Sequence, residues 1–154
     1  MNHFPEENLI LRLANKEDEK LLLDWSNDPI VRQWSFNNSK PIEITEHQKW
    51  FKNKLQNKDV RIWIMEKQHL PCGQVRIEKS ENQAILHYLI SSDFRGNSLG
   101  SKMVRMAVQK TFDEWPGIQI LAYTFPKNIA SIRSLIKVGF TEKSSSSKRK
   151  CFIL

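Results

Sequence analysis

Residues Phe94-Arg95-Gly96-Asn97-Ser98-Leu99-Gly100-Ser101-Lys102 combine glycines, small polar side chains and two cations in nine positions. An alternating apolar run, Ala84 to Ser91, precedes them. A helical pattern of Leu99, Met103, Val104, Ala107, Val108 and Phe112 follows. A strand, a small-residue loop and a helix together present unpaired backbone N–H groups and a positive helix end to an anion. The chemistry expected here is a cradle for a cofactor diphosphate, with Arg95 and Lys102 suited to a polyanion. A Walker A loop would need four residues between its glycines and then Lys-Ser/Thr. Here three residues separate Gly96 from Gly100, and Ser101 precedes Lys102. A dinucleotide fingerprint would need a third glycine. The plain alternative is a polar connection whose glycine serves tight packing.

A second constellation lies downstream. Ile118–Phe125 reads as a strand that runs into Pro126-Lys127-Asn128-Ile129-Ala130-Ser131, and then into a helix ending at Val138-Gly139-Phe140. Asn128 suits an N-cap, Ile129, Ile132 and Ile136 form an apolar stripe, and Gly139 suits a C-terminal stop.

The elements that must position these loops follow from periodicity. Leu9 to Leu13 alternate as a first strand. Asn15 with Asp18 starts a helix carrying Leu21, Leu22 and Trp25, which Asp28-Pro29 ends. Residues 31–44 read as irregular. Thr45 to Gln48 reads as a capping box that opens a helix through Leu55. Arg61–Lys67 and Gln74–Glu78 read as strands around a turn containing Pro71 and Gly73. Ala84–Ser91 is the next strand, and Phe140–Lys143 with Arg149–Leu154 closes the chain as a hairpin.

The 154 residues suit one domain over 1–154, and 40% hydrophobic with 27% charged residues is an ordinary globular balance. No apolar run reaches the roughly 20 residues of a membrane helix, and no signal-peptide pattern begins the chain, so a cytoplasmic protein is expected. Cys72 and Cys151 read as free thiols, and no His/Cys/Asp cluster suggests a metal. The net charge of +7 favours anionic partners. Nucleic acid is not favoured, because the aromatics recur with core periodicity and the basic run Lys148-Arg149-Lys150 reads as a solvated hairpin.

The order Arg95-Gly96-x-Ser98-x-Gly100 after a strand, then Asn128-x-x-Ser131 and Gly139-Phe140 at the right distance, resembles the GNAT N-acetyltransferases. The resemblance covers nearly the whole chain. It implies an α/β (α+β) fold: a mixed sheet of about seven strands flanked by four helices, in the order βααβββαβαββ. It also implies acetyl-CoA as co-substrate. In this reading the cofactor contacts are Leu89, Ile90, Ser91, Arg95, Gly96, Asn97, Ser98, Leu99, Gly100, Ser101, Asn128 and Ser131. Ser98 stands where the family usually has glycine.

An amine then attacks the thioester directly, which requires a neutral amine, donors for the oxyanion and a proton for the leaving thiolate. The usual base position holds Ile85. His87, on the same strand face, is the candidate in its place, and the Leu89 backbone is the candidate oxyanion donor. The usual acid position holds Leu135, leaving Tyr123, Tyr88 or water.

The front half, Trp25-x-Asn27-Asp28-Pro29-x-Val31-Arg32 and then Glu46-His47-x-x-Trp50-Phe51, resembles the branch that acetylates the 4-amino group of UDP-linked amino-dideoxy sugars in pseudaminic and related nonulosonic acid biosynthesis. That resemblance places Asn27, Arg32, His47 and Trp50 at the acceptor, Arg32 on the nucleotide phosphates. The partner implied is a small nucleotide sugar. Three alternatives stay open: a GNAT acting on a protein N-terminus, polyamine or drug; a non-catalytic acyl-CoA-binding domain; and, for assembly, monomer or homodimer.

Overall fold

The computed structural model describes residues 8–36 and 40–154. Residues 37–39, part of the segment read as irregular, lie outside the described residues, as do residues 1–7. The strands are β1 (Leu9–Leu13), β2 (Val60–Lys67), β3 (Leu70–Ser80), β4 (Gln83–Ile90), β5 (Gln119–Thr124), β6 (Thr141–Ser145) and β7 (Lys150–Ile153). They form one seven-stranded sheet in the order β1-β2-β3-β4-β5-β7-β6. All pairs are antiparallel except β4 with β5.

Five helices are present among the described residues: α1 (Glu19–Ser26), α2 (Pro29–Gln33), α3 (Ile44–Gln56), α4 (Leu99–Glu114) and α5 (Ile129–Val138). The added one is α2. Pro29 does not merely end α1: Asp28 caps the new helix through Ile30 N–H at 2.8 Å, with Pro29 in the first turn. The Asn15/Asp18 capping box is present, but it closes a 3₁₀ turn (Lys16–Asp18) ahead of α1. The Thr45 capping box is absent. α3 starts two residues earlier, with Glu43 rather than Thr45 at the N-cap and no side-chain cap.

The β2–β3 turn also differs. Pro71, Cys72 and Gly73 lie within β3, and the chain reverses at Gln68 and His69, with φ of 50° and 67°. Two consecutive left-handed residues match the twist of a tight hairpin, whatever their type. On α5 the buried side is carried by Leu135, with Ile132 packed nearby, while Ile129 and Ile136 are exposed.

Each sheet face buries its own cluster. One cluster joins Leu22, Phe51, Val60, Ile62 and Ile64 under α1 and α3. The larger one packs α4 and α5 on the other face, around Val75, Ile77, Leu86, Met103, Ile120 and Phe152.

Candidate active site

The site begins where two strands part. β4 and β5 pair from Gln83↔Gln119 to Leu86↔Ala122 and no further. Beyond that point β4 continues along β3 to Ile90↔Gly73, and β5 along β7 at Tyr123 and Thr124. Each strand keeps its outer partner, so a gap opens between them.

Register decides which peptide groups face that gap. Ser91 N–H donates to Cys72 O at 2.9 Å, at the far end of the β3–β4 ladder. Antiparallel bonds alternate, so Leu89 with Gln74 and His87 with Arg76 exchange bonds across β3. Tyr88 and Ile90 therefore turn their peptide groups to the β5 side. Two contacts agree: Gln119 N–H donates to Asn82 O in the parallel ladder, and Ile90 O accepts from Arg95 Nε at 3.1 Å. Leu89, expected to offer its N–H to an oxyanion, has that group in the ladder; the open groups belong to its neighbours.

The loop after β4 is the segment expected to cradle a diphosphate. A 3₁₀ turn (Ser92–Phe94) leads into it, and α4 starts at Leu99. The N–H groups of Gly96, Asn97 and Ser98 have no partner among the described residues, and the first N–H groups of α4 point the same way along the helix. Gly96, at φ +83°, has open space where a Cβ would stand. Ser98 adopts the left-handed region at φ 58° without capping the helix. This conformation favours glycine, which explains the residue usual there in the family. The loop side chains, in contrast, hold the protein together. Arg95 braces Ile90 O and pairs with Asp28 at 3.3 Å; Ser101 Oγ donates to Ser98 O at 3.2 Å; Asn97 contacts Phe94 O at 3.4 Å. Gly100 faces inward, where a Cβ would meet Ser134 Oγ at 3.3 Å and the Tyr88 ring at 3.5 Å.

Across the opening, Asn128 caps α5 through Ser131 N–H at 3.3 Å. Ser131 Oγ lies 3.1 Å from the Tyr88 hydroxyl, so Tyr88 is anchored on the α4–α5 side. Leu135 is fully buried. Thr124, at the end of β5, keeps a buried hydroxyl without a partner among the described residues.

The opposite face carries the polar groups. Directly paired residues share a face, which places Gln74, Arg76 and Glu78 of β3 beside Leu89, His87 and Ile85 of β4. Ile85 is level with Leu121, and continuing that register places Tyr123 level with His87. Glu78 is the hub. Lys54 of α3 donates to it, Arg76 Nε stands 3.5 Å away and His87 Nε2 3.8 Å. Arg76 lies 5.0 Å over the Trp50 ring, and its buried Nε has no hydrogen bond.

Burial raises the Glu78 pKa, but Lys54, Arg76 and His87 outweigh it and hold the carboxyl below its usual range. Desolvation and then the Arg76 cation push His87 down to about 4, against the pull of Glu78. The imidazole is neutral at pH 7 and keeps 47% of its side chain in water. Tyr123 is pushed up, first by burial and then by Cys151, although Arg149 lies over its ring. Its phenol holds its proton at neutral pH.

Sequence reasoning missed Lys54, Arg76 and Glu78. The available signal was the polar parity Gln74-x-Arg76-x-Glu78 in a strand that lies between two others. A central strand is covered on both faces, so such residues are buried together and must pair.

The residues expected at the acceptor build the walls of the site. Asn27 clamps Ile42 twice, at 2.7 and 3.0 Å. Arg32 donates to Ser26 O at 2.8 Å and Lys40 O at 3.4 Å. His47 is buried, its Nε2 3.0 Å from Glu19 O, and it stacks on Trp50 and Phe51. Only Trp50 reaches the polar hub. Past α2, Trp34 and Phe36 pack on Phe125, so this segment touches both sides of the opening: Arg95 through Asp28, and the end of β5.

A sheet split between parallel neighbours, with a backbone cradle at a helix start and a neutral imidazole on the open face, defines an acyl-CoA-dependent acyltransferase. The chain belongs to the acetyltransferase (GNAT) domain family, whose model matches residues 8–141. It is an acetyl-CoA-dependent N-acetyltransferase. Among solved structures it resembles spermidine N-acetyltransferase from Vibrio cholerae in complex with CoA and spermine, at 14% identity and a TM-score of 0.81, covering 94% of this chain and 92% of that one. An aminoglycoside acetyltransferase in complex with coenzyme A is similar at 19% identity and a TM-score of 0.79, covering 96% and 94%. A ribosomal L7/L12 alpha-N-protein acetyltransferase in complex with coenzyme A is similar at 15% identity and 0.79, covering 95% and 93%. No curated protein matches the sequence. Among the described residues, no helix is long and apolar enough to cross a membrane, and no group of three or more His, Cys, Asp or Glu could hold a metal.

Proposed function

We propose that the chain acetylates the 4-amino group of a UDP-linked amino-dideoxy sugar. The observation that carries the reaction is the gap past Leu86, with open peptide groups on its edge and His87 on its acceptor face. Acetyl-CoA supplies the activated acyl group. The N–H groups of residues 96–101 cradle its diphosphate, and the Tyr88 and Ile90 peptide groups hold the pantetheine arm and the thioester oxygen.

His87 takes the proton of the attacking amine. Glu78, 3.8 Å away, stabilises the imidazolium that forms, as a carboxylate orients and stabilises a histidine base elsewhere. Tyr123, protonated and level with His87, donates toward the leaving thiolate.

For the acceptor, the support is the front-half resemblance together with the charge. A chain at +7 attracts a nucleotide diphosphate and repels polycations such as polyamines or aminoglycosides. A protein N-terminus is the second reading, favoured by the structural similarity to the ribosomal-protein enzyme. A thiol-release assay decides between them, using a UDP-4-amino sugar, an N-terminal peptide, spermidine and an aminoglycoside. The UDP-amino sugar should be turned over with the highest kcat/KM; a peptide acetylated while the nucleotide sugar is inert would establish the second reading.

A further inference from the structure

The acceptor face continues past the reacting groups. Beyond β5 it carries a cavity of about 340 Å³ between β5, β7 and β6. Tyr123 and Cys151, directly paired, form its floor, and Lys143, Ser144, Ser145 and Arg149 stand around it. The lining holds two cations and no acid. Glu142, the nearest carboxylate on β6, is paired with Lys150 at 2.9 Å and does not line the cavity.

The hairpin is built to hold this arrangement. Ser146 Oγ accepts from the N–H groups of Lys148 and Arg149 and donates to Arg149 O, each at 3.2 Å, which fixes the turn. The Arg149 guanidinium carbon lies over the Tyr123 ring, 4.3 Å from its centroid. Its donors make no hydrogen bond, and Lys143 makes no ion pair, among the described residues. A planar fork held in place by a ring, beside a second cation and serine hydroxyls, matches the donor set of a phosphate group.

We propose that this cavity binds the phosphate groups of the acceptor, so that the amine substrate is a phosphate ester whose diphosphate rests on Arg149 and Lys143. The inference rests on the acetyl-transfer reading above and gives its acceptor a second point of attachment. Tyr123, the cavity floor, is level with His87 across the gap between β4 and β5 and on the same face of the sheet, so an acceptor whose amine meets His87 can rest its phosphates beyond Tyr123.

The test is calorimetric titration of UDP, and separately of inorganic pyrophosphate, into the full chain with CoA saturating, so that the cofactor's own cradle is filled. UDP should bind, pyrophosphate should compete with it, and Arg149→Ala and Lys143→Gln should each weaken binding roughly 10- to 150-fold, the range for a charged hydrogen bond. Arg149→Lys, which keeps the charge, should recover part of the loss and guards against misfolding of the alanine variant. Unchanged UDP affinity in Arg149→Ala and Lys143→Gln would overturn the proposal, as would no binding of either anion to the native chain. The two readings fail separately. A UDP-amino sugar acetylated with the same KM by Arg149→Ala leaves the function standing without this site. UDP held through Arg149, with no amino sugar acetylated, leaves the site standing without the function.

Discussion

At the scale of the residue, His87 is set between Arg76, which lowers its pKa, and Glu78, which raises it. Its folded value of about 4 lies below the roughly 6.5 of an unfolded histidine. The folded chain therefore binds this proton less readily. The associated stability is present above pH 6.5 and is lost as pH falls toward 4. The proposed role of His87 as base has the same sign, because only the neutral ring accepts a proton. We expect His87→Gln to lower kcat/KM about 10²- to 10⁴-fold and to flatten the stability loss between pH 6.5 and 4, read by denaturant melts across that window. Glu78 and Asp18 lose their contribution as pH falls through the ordinary carboxylate range, and His47, whose pKa burial also lowers, shares the window, so the variant removes the His87 share of the loss and leaves the rest. Wild-type turnover in the variant would remove His87 from the reaction. The candidate was legible because its parity matched Ile85. Glu78 was not, because its contact with His87 joins two strands whose register the sequence leaves open.

At the scale of the element, Gly73 shows how closely the split sheet is packed. A Cβ there would stand 2.9 Å from Leu89 O, 2.9 Å from Ile90 Cδ1 and 3.0 Å from Met103 Sδ. The first of these is backbone at the end of β4, which cannot yield without moving the strand. Gly73→Ala should destabilise the fold by about 1–3 kcal/mol and weaken acetyl-CoA binding. Gly100→Ala, whose nearest neighbour is the Ser134 hydroxyl at 3.3 Å, should cost less. Urea melts of the two variants check the order, and equal losses would contradict it. Most element types were legible from period and caps: β1, α4 with its stripe, and α5 between Asn128 and Gly139. The misread boundaries share a cause. Pro29 both stops and starts helices, Thr45 had an N-cap signature inside a helix already begun, and the Gln68-His69 turn forms because the strands fix it.

At the scale of the molecule, the charge of +7 acts on both substrates of the proposed reaction, since CoA and a nucleotide sugar are polyanions. Screening shortens from about 10 Å at 0.1 M salt to about 3 Å at 1 M. kcat/KM for acetyl-CoA should therefore fall steadily as salt rises, while kcat at saturation changes little. Steady-state kinetics over that range would show it; a flat profile would mean that the field of the whole chain does not steer the cofactor.

The sequence by itself determined the family, the strand–loop–helix arrangement around Gly96 and Gly100, and the order of most elements, because those are local: glycines at set spacing, a capping asparagine, and apolar periods of two and 3.6. Tertiary structure alone decided which groups meet. Arg95, a natural phosphate ligand by type, is drawn to Ile90 O and Asp28. Asn27, Arg32 and His47 are absorbed into the walls, since buried donors and acceptors must be satisfied before any can serve a ligand. The β3 triplet, which alternation alone cannot tell from a solvated face, lies under α3 as a charged hub because sheet order made its strand central. Where strands part and which peptide groups remain open depend on hydrogen bonds between residues far apart in the chain, and no local pattern records them.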